Sequence, residues 1–451
     1  MKNRLILSHI IILFLVIFCS CYTFAKDLQL TIYNDNLALI REKRTVQIPV
    51  GKAVPLKFTD VSALIDPTSV YFKSDAHIIE QNFLYDLFNQ KKLLQKYIGT
   101  DIRIKQEKDV IDGRLLSAQD GLIIEQQNQK IILSPKGQIE LPPMKTGLIL
   151  KPTLYWLLDN HISKPQAVEL SYLTEGLQWE AKYIIKLDQD DAYGSLQAWV
   201  NIENNSGTSY KNTAVQLIAG KPHQVKKPQR SLYRAQNMMA EGLAKASPFQ
   251  EESFFEYHLY DLQHNTTLNN FEEKQIVLLN ADQVPFKKHY TIENSSFYSL
   301  GSKKKITVKT KLSFENNLKS NLGTPLPKGI IRIYKADSKN RLQFIGADQI
   351  KHTPRDETIT IEIGDTFDIT AEKILKQDQR INARQREKTY EITINNHKDK
   401  DVVVEVIENF WQSFKLLEVS HPHEQKSANT LHIKVPVKKD QEAILKYKIL
   451  I

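Results

Sequence analysis

Cysteine is almost missing from this sequence. Of 451 residues only Cys19 and Cys21 are cysteines, and both sit in the N-terminal stretch. If that stretch is removed, disulfides contribute nothing to the fold and thiolate zinc sites are excluded. The usual catalytic signatures are missing too. There is no G-x-S-x-G elbow, no H-E-x-x-H, no phosphate-cradling glycine loop and no EF-hand loop. Basic residues are dispersed as Lys91-Lys92, Lys226-Lys227, Lys287-Lys288 and Lys303-Lys304-Lys305 instead of lining one element. A nucleic-acid partner needs a clustered basic stripe with interleaved aromatics, so none is expected.

The first residues, MKNRLILSHIIILFLVIFCSCYTFA, carry what export requires. Lys2 and Arg4 make a positive start, Ile10 to Phe18 an apolar run, and Thr23-Phe24-Ala25 a small-residue cleavage site. The expected cut lies between Ala25 and Lys26, placing the mature chain in the periplasm or outside the cell. Ser20-Cys21 offers an alternative as the end of a lipobox, with Cys21 lipidated. A membrane is an expected partner only in that case. The formal charge of +9 falls by two with the loss of Lys2 and Arg4. A solvated lysine-rich surface accounts for the remainder more simply than an acidic ligand does.

From Lys26 the chain alternates with period two in short runs broken by turn residues. LQLTIYN and LALIREKRTVQIP read as two strands joined at Asn34-Asp35-Asn36, and AVPLKFTDV and SVYFKS as continuing the same sheet. FLYDLFNQKKLLQKYIG breaks the pattern. Leu84, Leu87, Lys91, Leu94 and Ile98 follow helical spacing, and Gly99 stands at the C-cap. Five short strands follow, with glycine or asparagine at their turns, in a layout similar to SH3 or Sm-type barrels.

Longer strands carry Trp156, Trp179 and Trp199, expected as core anchors. The fold expected is therefore mainly β: sandwich and barrel modules, one inserted small SH3/Sm-like barrel with a short helix, and a C-terminal immunoglobulin-like sandwich. The boundaries read as a signal peptide over 1–25, an N-terminal β domain over 26–81, and a helix with a five-stranded barrel over 82–143. A central β domain takes 144–220 and 251–385, a mobile linker 221–250, and the C-terminal domain 386–451. The middle of the linker, Leu232 to Leu243 with Met238-Met239, is a candidate partner-binding segment, although plain disorder is the simpler explanation.

Candidate chemistry is thin. His421-Pro422-His423 with Glu424 could bring two imidazoles to one metal, although a surface turn is the simpler explanation. Asp188, Asp190 and Asp191 could attract a cation, but aspartate is itself a turn former. His258 and His264 flank a strand end, and Glu251-Glu252 fall in the loop. Gly176, Gly207 and Gly220 are explained by turns. No catalytic, cofactor-binding or metal-ligating residue is assigned, and no cofactor is expected.

Several strings carry a resemblance: YNDNLALIREKR, SYLTEGLQWEAKYIIKLD, AWVNIENNSGTSYKNTAVQLIAG, EYHLYDL, GTPLPKGIIRIYKAD and FIGADQIKHTPRDETITIEIGDTFDI. Through them the chain resembles the domain-of-unknown-function 4139 family, related to the C-terminal region of mucoidy-inhibitor-A-like proteins. The resemblance implies an exported, multi-domain β architecture and no established reaction. The chain departs from the mucoidy-inhibitor type in lacking a long heptad coiled coil. The expected function is a non-catalytic envelope protein binding another macromolecule, an envelope protein or glycan, as scaffold or adaptor. The alternative is an envelope hydrolase or carbohydrate-binding protein with a site at a domain junction.

Overall fold

Alternation sets the first hairpin. In Asp27–Tyr33 the residues Leu28, Leu30 and Ile32 are buried, and in Ala38–Val46 so are Ala38, Ile40 and Glu42. The two strands pair antiparallel around the turn at Asn36, whose φ is 45°. A computed structural model describes residues 27–85, 90–106, 109–119, 121–143, 149, 151–220, 222, 249–254, 257–294, 299–383 and 385–451. The leader with Cys21, Ala25 and Lys26, and the methionines Met238 and Met239, lie outside the described residues.

The chain is mainly β, with several sheets and one short α-helix among the described residues. It divides into two compact units, each discontinuous in sequence. The first takes residues 1–178, 203–217 and 264–273, and the second 179–202, 218–263 and 274–451.

In the first unit, Gln166–Thr174 pairs with Ala38–Val46 on one side and Tyr71–Lys73 on the other. Gly51–Thr59, expected to extend that sheet, instead pairs with Thr153–Asn160 in a separate three-stranded sheet with His77–Leu84. Between the strands lie stacked Phe72 and Trp156, with ring centroids 4.3 Å apart, and Phe58 edge-on to Trp156. The Arg44 guanidinium sits 4.4 Å above Phe58 and pairs with buried Glu42. Burial pulls the Arg44 pKa below the usual arginine range.

The small module of this unit has the expected five strands but is not a barrel. Its order is Gln138–Glu140, Asp101–Lys105, Val110–Ser117, Ile123–Glu125 and Ile131–Leu133. The outermost strands have three residues each and do not pair, so the sheet stays open. Among the described residues the helix runs over Gln90–Gln95, and Leu84, which the helical spacing includes, instead ends the strand His77–Leu84. Turns follow it to Gly99, at φ 84°. Leu94, Tyr97, Ile102, Ile104, Leu115 and Ile124 form the module's core.

The second unit holds three sheets and the hairpin Phe249–Phe254 with Tyr257–Leu262. Leu177–Leu187 pairs in parallel with Gly329–Ala336, where Gly329 opposite Ala181 has no room for a Cβ. A six-stranded and a five-stranded sheet close over one core at the C-terminal end. That core includes Tyr290, Ile292, Val308, Ile369, Ala371 and Leu375 as well as residues after 386. Residue 386 therefore falls within a sandwich, at the start of the strand Arg386–Asn396 that pairs with Ile369–Arg380. Trp156 and Trp179 are fully buried as core anchors, while Trp199 is only half-buried.

Candidate polar recess on the small sheet

The sequence-derived candidates separate. His421 Nδ1 is 2.8 Å from Ser420 Oγ, His423 Nδ1 is 3.3 Å from the His421 carbonyl, and Glu424 pairs with Lys426 at 2.7 Å. Burial pushes the His421 imidazole below the usual histidine pKa, while Lys426 holds Glu424 below the usual carboxylate range. The three groups thus face different partners. His423 and Glu424 open a short, fully exposed edge strand, His423–Ser427, which the sequence reads as a loop. Among the described residues no three His, Cys, Asp or Glu side chains gather as a metal site.

The aspartates form a hairpin turn. The Asp188 carboxylate accepts from the Ala192 and Tyr193 amides. Asp191, at φ 60°, accepts from Lys288 at 2.8 Å and Lys335 at 2.5 Å. Burial opposes the Asp191 charge, but the two lysines outweigh it and hold the carboxyl below the usual range. Its ligand is already present. His258 is half-buried and His264 exposed, and Glu251 and Glu252 lie in a strand opposite Tyr260 and Leu259 instead of in a loop.

Gly207 and Gly220 have positive φ, and a Cβ on Gly220 would meet the Tyr257 ring. Gly176, at φ 84°, is held by its amide to Asn36 Oδ1.

Two hydroxyl clusters went unnoticed in the sequence. Ser62 Oγ is 2.6 Å from Thr174 Oγ1 and donates to the Ser206 carbonyl, while Tyr210 donates to Ser206 Oγ. Burial pushes the Tyr210 hydroxyl up to about 12, outweighing its bonds to Ser206 and Ser62, so it stays protonated. This cluster ties strand ends together. On the six-stranded sheet His289 Nε2 lies 2.7 Å from Ser313 Oγ. Among the described residues no carboxylate is paired with that imidazole, so the third member of a Ser–His–Asp arrangement is lacking there.

A recess with a volume of about 1190 Å³ lies along the outward face of the small five-stranded sheet. Inward positions Ile102, Ile104 and Leu115 are buried, so alternation sends charge outward. Across the strands run two acid–base–acid rows: Asp101, Arg114, Glu125, and Glu140, Arg103, Asp112. Arg103 donates to both Asp112 oxygens, at 2.7 and 3.2 Å, and Lys105 reaches Glu140 at 2.5 Å. The turn Gln126 to Gln129 overhangs one side.

Gly113 lets the strands approach. A Cβ there would stand 2.6 Å from the Glu125 carbonyl oxygen. Arg103 holds Asp112 below the usual carboxylate range, the wrong direction for a proton donor. Such a surface can form many directed hydrogen bonds without being poised for acid–base chemistry.

Residues 168–451, more than half of the chain, match the family described as Domain of unknown function (DUF4139). No curated protein matches the sequence.

Proposed function

The chain belongs to the DUF4139 family, and on that premise we propose that it is an exported, non-catalytic envelope protein whose β modules bind another macromolecule. The observation that carries the reading is the open polar recess, whose charges are prearranged in pairs across a hydrogen-bonded sheet. Prearranged donors and acceptors lose little freedom on binding, which favours recognition of a polar surface. The leader supports export, with Lys26 as the first mature residue and lipidated Cys21 as the alternative. The partner is an envelope protein or an envelope glycan.

In-cell crosslinking of the tagged protein, with mass spectrometry of what is recovered and of the mature N-terminus, tests this reading. One recurrent partner is expected. Its yield should drop at least about tenfold in the Arg103→Ala, Asp112→Ala double variant, because a few central contacts dominate binding. Equal recovery with the variant would remove the recess from the argument. A mature chain that keeps Met1 and the intact leader would remove the export reading.

A further inference from the structure

The core of the C-terminal sandwich contains two charged residues in positions that the pattern reserves for apolar ones. Lys373 shares its strand face with Ile369, Ala371 and Leu375, and Glu408 shares its face with Val402, Val404 and Val406. Their strands belong to the two opposing sheets. Lys373 Nζ lies 2.6 Å from Glu408 Oε2, and the side chains are 2% and 3% exposed. The Tyr390 and Tyr447 rings, stacked 5.2 Å apart, cover the amine with centroids 4.7 and 5.6 Å from Nζ. The other carboxylate oxygen, Oε1, accepts no hydrogen bond among the described residues.

We propose that Lys373 and Glu408 condense within the folded protein into an intramolecular isopeptide bond joining the two sheets. An ion pair here is poorly compensated, because desolvation of both charges opposes their attraction and one oxygen stays bare. Burial lowers the Lys373 pKa and so favours passing its proton to the carboxylate. That transfer leaves a neutral amine touching a neutral acid.

The Nζ lone pair then adds to the Glu408 carboxyl carbon. A C–N bond forms, one carboxyl oxygen leaves with two protons as water, and the second becomes the amide carbonyl. Atoms and charge balance with no oxidant, cofactor or activating group. Fixed contact replaces the encounter that makes such condensations slow between free molecules. The surrounding apolar side chains keep out the water that would reverse the step.

The test is peptide mapping of the purified wild-type chain. Trypsin should fail at Lys373 and release Asp356–Lys376 joined to Asp401–Lys415, lighter by one water than the two peptides together. Fragmentation should place the branch at Lys373 and Glu408. Glu408→Gln should yield the same branched product by expelling ammonia, and Glu408→Met should yield only linear peptides. Cleavage of the wild type after Lys373, with both peptides linear and at full mass, overturns the proposal whatever the variants do. A branch surviving in Glu408→Met overturns it as well.

Discussion

Asparagine does at three strand ends what backbone pairing cannot. Asn160, Asn204 and Asn396 are each buried at the last residue of a strand. Each side-chain amide donates to three backbone carbonyls: Asn160 to Ile48, Pro49 and Ile162, Asn204 to Thr208, Leu268 and Asn269, Asn396 to Lys400, Val437 and Lys438. Each Oδ1 accepts the amide two residues on, from Ile162, Ser206 and Lys398. The next strand then begins at Gln166, Tyr210 and Val402, the same spacing each time.

Asn396→Ala strands several of these acceptors and should destabilise the sandwich by roughly 2–4 kcal/mol, since buried unpaired groups are costly. Denaturant unfolding reads this directly, and an unchanged midpoint would refute it. Hydrogen bonding to distant carbonyls leaves no local signature, so the sequence does not set these asparagines apart from turn formers. Lys373 and Glu408 were legible by parity, since both fall in the inward register of alternating strands. Their charge by itself argues for the surface.

Asp191 makes a second prediction at this scale. Its folded-state pKa lies below the unfolded value of about 3.9, so its contribution to stability is present above that pH. The contribution is lost as pH falls through the folded pKa. Thermal melts from neutral pH into acid should show Asp191→Asn to be less stable at neutral pH and to lose less on acidification than the wild type. Parallel curves for the two proteins would mean that the lysines contribute nothing through this carboxylate.

At the scale of elements, the strands were easy to read and their partners were not. Alternation located Asp27–Tyr33 and Leu177–Leu187 well, yet Gly51–Thr59 joined a different sheet from the one expected. Side-chain period fixes which face is buried and says nothing about which edge is met. The helix was over-read because Leu84 fits helical spacing as well as it fits the end of a strand. The open module was read as a barrel because strand count cannot reveal whether the outermost strands meet.

The recess arises from pairing, so its charged rows became legible only once the register was known. Gly113→Val should therefore disturb this sheet selectively, because the Glu125 carbonyl occupies the space a Cβ needs. Overpacking of this kind costs about 1–3 kcal/mol. Hydrogen exchange should quicken over 101–140 and stay unchanged in the C-terminal sandwich; uniform protection would show that the strands can separate without cost.

For the whole molecule, each of the two compact units is assembled from stretches far apart in the sequence. The expected C-terminal domain, 386–451, lacks Tyr290, Ile292, Ile369 and Leu375 from its core, so that fragment should not fold when produced alone. A dispersed amide NMR spectrum from it would contradict this.

Parallel pairing carries the same point into time. Leu177–Leu187 waits for Gly329–Ala336, and Lys287–Asn294 waits for Val402–Asn409. Contacts between stretches so far apart along the chain are slow to form. A polypeptide emerging N-terminus first thus has its second unit unfinished until the strand Gln441–Leu450 appears, with unpaired strand edges open to wrong neighbours meanwhile.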